Sequence, residues 1–254
     1  MPTFDAPTTI DAFWAARLRG EWFPSAWNDK LTNDQAYEVL FGIMERRLAA
    51  GERQIGWKVG LTSKAIQAQF NVHEPVFGCI LESRPSGHVF APADLIAPGF
   101  ENELCLRLGR DLSGPVTREQ ARAAIDAVHP SLEIIETRGD LTRQLALALA
   151  DNAQQKTVIL GAPVPLPEDL ETIETRVTIN GLLAGTGTGD AVLGNPLNSL
   201  VWLSAKLAEF GRGLKAGDIV MSGSFTRQFP IAPGDTIRCD FSGVGAVETS
   251  MTNT

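Results

Sequence analysis

The sequence predicts an α+β protein, with a small, mainly helical N-terminal region over residues 1–75 and a β-rich catalytic domain over residues 76–254. Helix-capping residues and 3.6-residue periodicity dominate the first 70 residues or so. Pro and Gly punctuate short apolar pieces from Pro75 to Pro98. From Glu103 onward, runs of branched or alternating residues recur with only a few helical patterns between them.

Each element has its own local warrant. Thr32-Asn33-Asp34-Gln35 is a capping box, in which Thr32 and Gln35 satisfy free amides at a helix start. The run to Ala50 sets Tyr37, Leu40, Ile43, Met44 and Leu48 at helical spacing, and Gly51 ends it. A short helix is expected after Thr62 or Ser63, through Ala65, Ile66 and Phe70. Pieces such as Gly78-Cys79-Ile80-Leu81 read as strands joined by turns, and Glu103 to Leu108 alternates as a strand. Thr117-Arg118-Glu119-Gln120 is a second capping box, whose helix is expected to end near His129-Pro130. Leu132 to Glu136 is a strand rich in branched residues. Arg176 to Gly181 reads as a strand entering a hairpin turn. From Pro196 to Phe210 a helix turns Leu197, Leu200, Val201 and Leu207 inward. Strands at Asp218 to Ser222, Thr236 to Phe241 and Ala246 to Met251 close the chain, with Pro233-Gly234-Asp235 as turn chemistry.

Composition narrows the function classes. A chain of 254 residues, 44% hydrophobic and 20% charged, has the make-up of a globular protein with a sizeable core. No run approaches the roughly 18 apolar residues of a membrane span. The N-terminus carries acids early and has no basic start followed by an apolar stretch, so a cytoplasmic protein is expected. Acids outnumber bases 30 to 22 and no basic patch is visible, which argues against a nucleic-acid partner. A small anionic substrate would then need local positive charge, such as a bound cation. Cys79, Cys105 and Cys239 are far apart with no CxxC pair, so reduced core thiols are expected rather than a zinc cluster or disulfides.

The stretch Phe100-Glu101-Asn102-Glu103-Leu104 bears most directly on chemistry. Strand residues two apart share a face, about 6.5 to 7 Å apart. Two carboxylates on one face of an apolar strand repel each other, and burying them unpaired would cost several kcal/mol. A third, Glu133, sits inside the apolar run Leu132 to Ile135. A divalent cation would remove these costs, and oxygen-only ligands point to Mg2+ or Mn2+ rather than zinc. On spacing alone, E-x-E reads as a solvated strand face.

A wider pattern shifts that balance. It comprises Gly56 to Ser63 (GWKVGLTS), Glu74 to Gly78, Glu101-Asn102-Glu103, Leu132 to Ile135 and Asp151-Asn152-Ala153, then Ala191 to Asn198, Ala216 to Val220 and Ser222-Gly223-Ser224. Together, over residues about 50 to 250, these resemble the 2-oxopent-4-enoate hydratase and 4-oxalocrotonate decarboxylase group of the fumarylacetoacetate hydrolase superfamily. The resemblance implies a mixed β-roll for the β-rich part, a homo-oligomer, Mg2+ or Mn2+ held by Glu101, Glu103 and Glu133, and Lys58 reaching into the site. It also implies a lyase of aromatic catabolism acting on a 2-hydroxy-2,4-dienoate or its 2-oxo tautomer. Lys58 is expected to transfer a proton or hold the substrate oxygen, and burial beside a cation is expected to ease its deprotonation.

Around that centre, the substrate pocket is expected to include Leu61, Val76, Gln154, Gly189, Ser224 and Thr226. Val76 departs from the pattern: hydratases of the group usually have an acid there, whereas the decarboxylases tend to have an apolar residue. Asn195 to Asn198 and Ser222 to Thr226 look more hydratase-like. Gln154-Gln155 stands where small serines often follow Asp-Asn-Ala. Ser222, Ser224 and Thr226 read equally as donors to a substrate carboxylate and as strand-end hydroxyls satisfying the backbone.

Gly185 to Asp190 lacks a GK[ST] ending, so a pocket-lining loop is expected there rather than a nucleotide site. His73, His88 and His129 accompany no GxSxG turn and are expected in loops or on the surface. A hydratase is the leading expectation and a decarboxylase of a 2-oxo-hexenedioate the alternative. A third is a catalytically silent paralogue that binds metal and assembles with a partner lyase.

Overall fold

The computed structural model describes residues 4–254. Its N-terminal elements are α1 (Ala6–Leu18), α2 (Asn33–Ala49), β1 (Gly56–Gly60) and α3 (Lys64–Gln69). Strands β2 (Val76–Ile80), β3 (Ser83–Pro85), β4 (His88–Phe90) and β5 (Pro98–Leu108) follow. Next come α4 (Arg118–Ala124), β6 (Ile125–Glu136), α5 (Leu145–Ala150), β7 (Gln155–Leu160), β8 (Glu174–Ile179) and β9 (Leu182–Thr188). The chain closes with α6 (Leu197–Glu209), β10 (Ile219–Ser224), β11 (Phe229–Pro230), β12 (Thr236–Phe241) and β13 (Gly245–Met251).

Caps set the helix starts as the sequence implies. Thr32 Oγ1 accepts the Gln35 N–H at 3.2 Å while Gln35 Oε1 accepts the Thr32 N–H at 3.0 Å. Thr117 and Gln120 repeat the arrangement at α4, and Ser63 caps α3. No helix among the described residues is long and apolar enough to cross a membrane.

Two mixed sheets organise the α+β fold. The larger runs β2-β1-β10-β5-β6-β7-β3, with β11 paired to β5; the smaller runs β4-β13-β12-β8-β9. β1–β10, β3–β7 and β13–β4 are parallel pairs and the rest are antiparallel. The smaller sheet packs on β6 and β7, α6 lies on β10, and α5 bridges α2 and β2. The main core gathers residues such as Leu40, Phe77, Phe100, Leu104, Leu132 and Leu200. A separate small cluster, Ile80, Cys105, Val158, Ile219 and Met221, lies on the opposite side of the larger sheet. All three cysteines are buried free thiols.

The structure corrects the sequence reading in three places. The helix after Thr117 ends at Ala124, not near His129-Pro130, because Ile125 turns extended (ψ 130°) and begins β6. Branched Ile125, Val128, Ile134 and Ile135 favour that strand, which is buried on both faces from Ala127 to Glu136. Gly185 to Thr188 lies in the edge strand β9 and Gly189 to Ala191 in a short 3-10 turn, rather than in a loop. Gly56 to Gly60, inside the region expected to be helical, is a strand hydrogen-bonded between β2 and β10. The expected division at residues 75 and 76 falls between α3 and β2, so β1 joins a sheet otherwise built from residues beyond it.

Candidate metal centre

Glu101 and Glu103 project from one face of β5, and the register sets Glu133 of β6 directly opposite Glu101. One carboxylate oxygen from each lies within 4.8 Å of the other two. No other set of three His, Cys, Asp or Glu side chains converges in this way among the described residues.

Lys58 enters from β1, with its Nζ 3.3 Å from Glu133 Oε1. β10 and β5 lie between β1 and β6. Three strand spacings span about 14 Å on a flat sheet, so the two side chains meet because the sheet curls. Lys58, Met221, Cys105 and Glu103 share one face through successive register partners. The cluster of Ile80, Val158 and Met221 therefore forms the apolar floor beside the acids.

Glu103 and Glu133 are 0% exposed and Lys58 5%, while Glu101 is half-buried. Glu103 Oε2 accepts the Gly223 N–H at 2.7 Å. Glu103 Oε1 and both Glu133 oxygens have no hydrogen-bond partner. The Lys58–Glu133 contact is close but poorly angled, so it counts as an ion pair and leaves the Glu133 lone pairs open. Each unpaired buried acceptor costs about 1–3 kcal/mol. An all-oxygen set with open lone pairs, converging from three carboxylates, fits a hard divalent cation.

Charge states follow from this crowding. Burial and then the Glu133 charge push Glu101 up to about 7. Burial, with Glu133 and Glu101, carries Glu103 well above the usual carboxylate range. Burial also raises Glu133, against the pull of Lys58. For Lys58, burial favours loss of the proton, but the charges of Glu133, Glu101 and Glu103 outweigh it and the net direction is upward. The expected ease of deprotonation is therefore reversed while the acids are uncompensated; positive charge among them would weaken that pull.

The expected pocket residues divide. Ser224 is the register partner of Glu103, and its Oγ is buried without a partner. A β-carbon on Gly60 would lie 3.2 Å from Lys58 Nζ and 3.4 Å from Val76 Cγ2, which sets Val76 beside the ammonium. Leu61, half-buried, leaves β1 in a left-handed conformation at φ 54°. Gln154 is buried with its amide donating to Gly139 O at 3.0 Å. Thr226 spends its hydroxyl on Asn102 Oδ1, on the face of β5 opposite the acids. Gly189 donates its N–H to Ile173 O at 3.0 Å and packs against Leu170.

His129 is not a loop residue. It is buried in β6, with Nδ1 2.8 Å from Gly161 O. Four residues along a strand put it about 13 Å from Glu133. His73 is exposed and His88 lies in β4.

Sequence reasoning missed Gly223 and Thr62. A bulge between Met221 and Ser224 holds Gly223 at φ 114°, and a β-carbon there would come within 2.5 Å of Thr62 Cγ2. The signal was present in Ser222-Gly223-Ser224, but a backbone N–H donor carries no side-chain signature.

Residues 62–252 match the family model described as fumarylacetoacetate (FAA) hydrolase, C-terminal. The chain is 36% identical over 231 residues to a 2-hydroxyhexa-2,4-dienoate hydratase of Comamonas testosteroni, covering 88% of each chain. It is also 36% identical over 231 residues to a 4-oxalocrotonate decarboxylase of Pseudomonas sp. (strain CF600), covering 86% of this chain and 88% of that one. Among solved structures, a 4-oxalocrotonate decarboxylase from Pseudomonas putida G7, complexed with magnesium and adipate, superposes with a TM-score of 0.91 at 33% identity. That match covers 98% of this chain and 100% of the other.

Proposed function

Since the chain belongs to the fumarylacetoacetate hydrolase family, we propose that it is a metal-dependent lyase of aromatic catabolism. It adds water to a 2-hydroxy-2,4-dienoate resembling 2-oxopent-4-enoate, giving a 4-hydroxy-2-oxo acid. The observation that carries this reading is the convergence of Glu101, Glu103 and Glu133 with open lone pairs beside a buried lysine.

In the proposed site Glu101, Glu103 and Glu133 hold the divalent cation, Mg2+ or Mn2+. When bound, the cation supplies a Lewis acid for the carboxylate and 2-oxygen of the substrate. Lys58 Nζ moves the proton between the 2-oxygen and the far end of the diene, so that water can add at C4. Gly223 fixes Glu103 through its N–H. The Ser224 hydroxyl, free of other partners, is placed to donate to the substrate or to orient water. Leu61, Val76 and Gln154 are proposed for the pocket wall, whereas Thr226, on the face opposite the acids, and Gly189, bonded to Ile173, are left outside it.

One observation favours a second reading, decarboxylation of a 2-oxo-3-hexenedioate. Val76 is buried and apolar beside Lys58 Nζ. Incubating purified protein with Mg2+ or Mn2+ and each substrate in turn separates the two. Water addition without CO2 supports the hydratase, CO2 release the decarboxylase, and metal binding without turnover a silent paralogue.

The proposal extends to the division of the chain, with residues 1–75 contributing Lys58 to a catalytic part over residues 76–254. It includes a homo-oligomer, for which the exposed Val89, Leu182 and Leu183 on edge strands β4 and β9 are support, and a partner lyase is open to co-purification. Three buried free thiols suit the proposed cytoplasmic location.

A further inference from the structure

Asn152, Ala153 and Gln154 hold consecutive left-handed backbone at φ 60°, 48° and 61°. Residues with a β-carbon visit that region singly, and persist there only where their surroundings hold them. The hold here is explicit. Asn152 Nδ2 donates to Cys79 O at 2.8 Å and its Oδ1 accepts the Cys79 N–H at 2.7 Å. Its carboxamide thus completes the open edge of β2 as a neighbouring strand's peptide would. Arg138 clamps the entry to the turn, donating from Nε to Asp151 Oδ2, from Nη2 to Asp151 O at 3.0 Å and from Nη1 to Glu136 Oε2 at 2.7 Å. These three side chains are buried.

The same turn bears on Lys58. A β-carbon on Gly78 would lie 3.0 Å from Asn152 O, 3.1 Å from Asn152 Oδ1 and 3.4 Å from Lys58 Cγ. Asn152 and the lysine stem therefore lie against the same bare glycine. The ammonium itself has Glu133 at 3.3 Å, without hydrogen-bond alignment, as its ion-pair partner. Its aim then depends on how the methylenes are packed, and Asn152 borders the glycine over which they pass.

Resting on the role proposed above for Lys58, we propose that Asn152, clamped through Asp151 by Arg138, is a positioning residue. It fixes β2 against the Lys58 stem and so directs Nζ at the substrate.

Asn152→Gly tests this, because glycine accepts the left-handed backbone while the carboxamide is lost. With the whole protein, Mg2+ and the dienoate that the wild type turns over, kcat should fall by about 100-fold, as for a small misplacement of a reacting group. KM and Mn2+ affinity should not change, and hydrogen exchange at the Cys79 amide should accelerate. Asn152→Asp keeps the acceptor for the Cys79 N–H and should fall between the two. In a Lys58→Met background, adding Asn152→Gly should leave the residual rate unchanged. Wild-type kcat in Asn152→Gly, or an equal loss in the Lys58→Met background, overturns the positioning role. Absence of turnover by the wild type instead overturns the reading on which it rests.

Discussion

Loading the carboxylate cluster with a divalent cation is expected to stabilise the protein by an amount that grows from pH 5 to pH 8. In the metal-free protein Glu101 sits at about 7 rather than 4.5, raised first by burial and then by Glu133, and Glu103 is displaced the same way. A carboxyl group raised by folding binds more protons folded than unfolded between the two values. Its contribution is therefore fully present below the unfolded value and is lost as pH climbs through the folded one. At 1.36 kcal/mol per unit, the Glu101 displacement corresponds to about 3 kcal/mol, with Glu103 adding to it. Each kcal/mol is roughly 2–4 °C in Tm for a chain of this size. The metal-free Tm should thus fall by roughly 6–12 °C from pH 5 to pH 8 through Glu101 alone. A cation keeps the acids ionised, so the melt in Mn2+ should hold nearly level over the same range. Asp151, raised to about 6 chiefly by burial, has the same sign at lower pH, so the decisive comparison is with Glu101→Gln above pH 6. That variant should lose the Glu101 share of the slope and keep the share carried by Glu103. Calorimetric melts in a chelator and in Mn2+ measure all of this. A metal-free Tm that is level or rising from pH 6 to pH 8, or a metal gain independent of pH, would refute the reasoning.

Three further outcomes are expected. Lys58→Met should lower kcat by about 10²- to 10⁴-fold while keeping the metal-induced rise in Tm; steady-state rates beside melts decide it, and an undiminished rate removes Lys58 from the chemistry. Gly223→Ala forces a left-handed alanine against Thr62, which should cost about 1–3 kcal/mol. Because the Gly223 N–H orients Glu103 and the added methyl displaces it, Mn2+ affinity by titration calorimetry should weaken by about 10-fold or more, and unchanged affinity would show that the bulge absorbs the methyl without moving that donor. Val76→Asp puts an acid beside Lys58 and should move the product ratio, followed by NMR, toward hydration and away from CO2. An unaltered ratio would remove Val76 as the discriminating position.

Period and capping made much of the scaffold legible before any coordinates. Thr32, Ser63 and Thr117 start helices because side-chain oxygens and free amides pair locally, and that pairing is written in adjacent residues. Glu101 and Glu103 share a face for an equally local reason. That Glu133 lies opposite Glu101 is a matter of strand register, which no short window contains. β1 was missed because Gly56 to Gly60 offers four residues buried by β2 and β10 in succession and no alternation of its own. β6 was cut short because His129-Pro130 looks like a helix terminator, yet Pro130 is simply the register partner of Leu104 inside the sheet. Gly223 acts through its backbone N–H, Thr62 through close approach and Asn152 through a carboxamide bonded to Cys79, 73 residues away, and those partners emerge only when distant segments meet.

The acids and the lysine do not themselves choose between hydration and decarboxylation, since both need charge on the 2-oxygen to be stabilised. The choice lies with whatever faces the distal carbons. Loss of CO2 removes a carboxylate charge, so an apolar wall such as Val76 and the nearby floor of Met221 and Val158 favours it. Water addition instead needs a polar group to hold the incoming oxygen. Thr226 is spent on Asn102 and Gln154 on Gly139, so neither is free for that task in this arrangement. Ser224 remains, opposite Glu103 and without a partner. The hydratase reading therefore rests on one hydroxyl set against one valine.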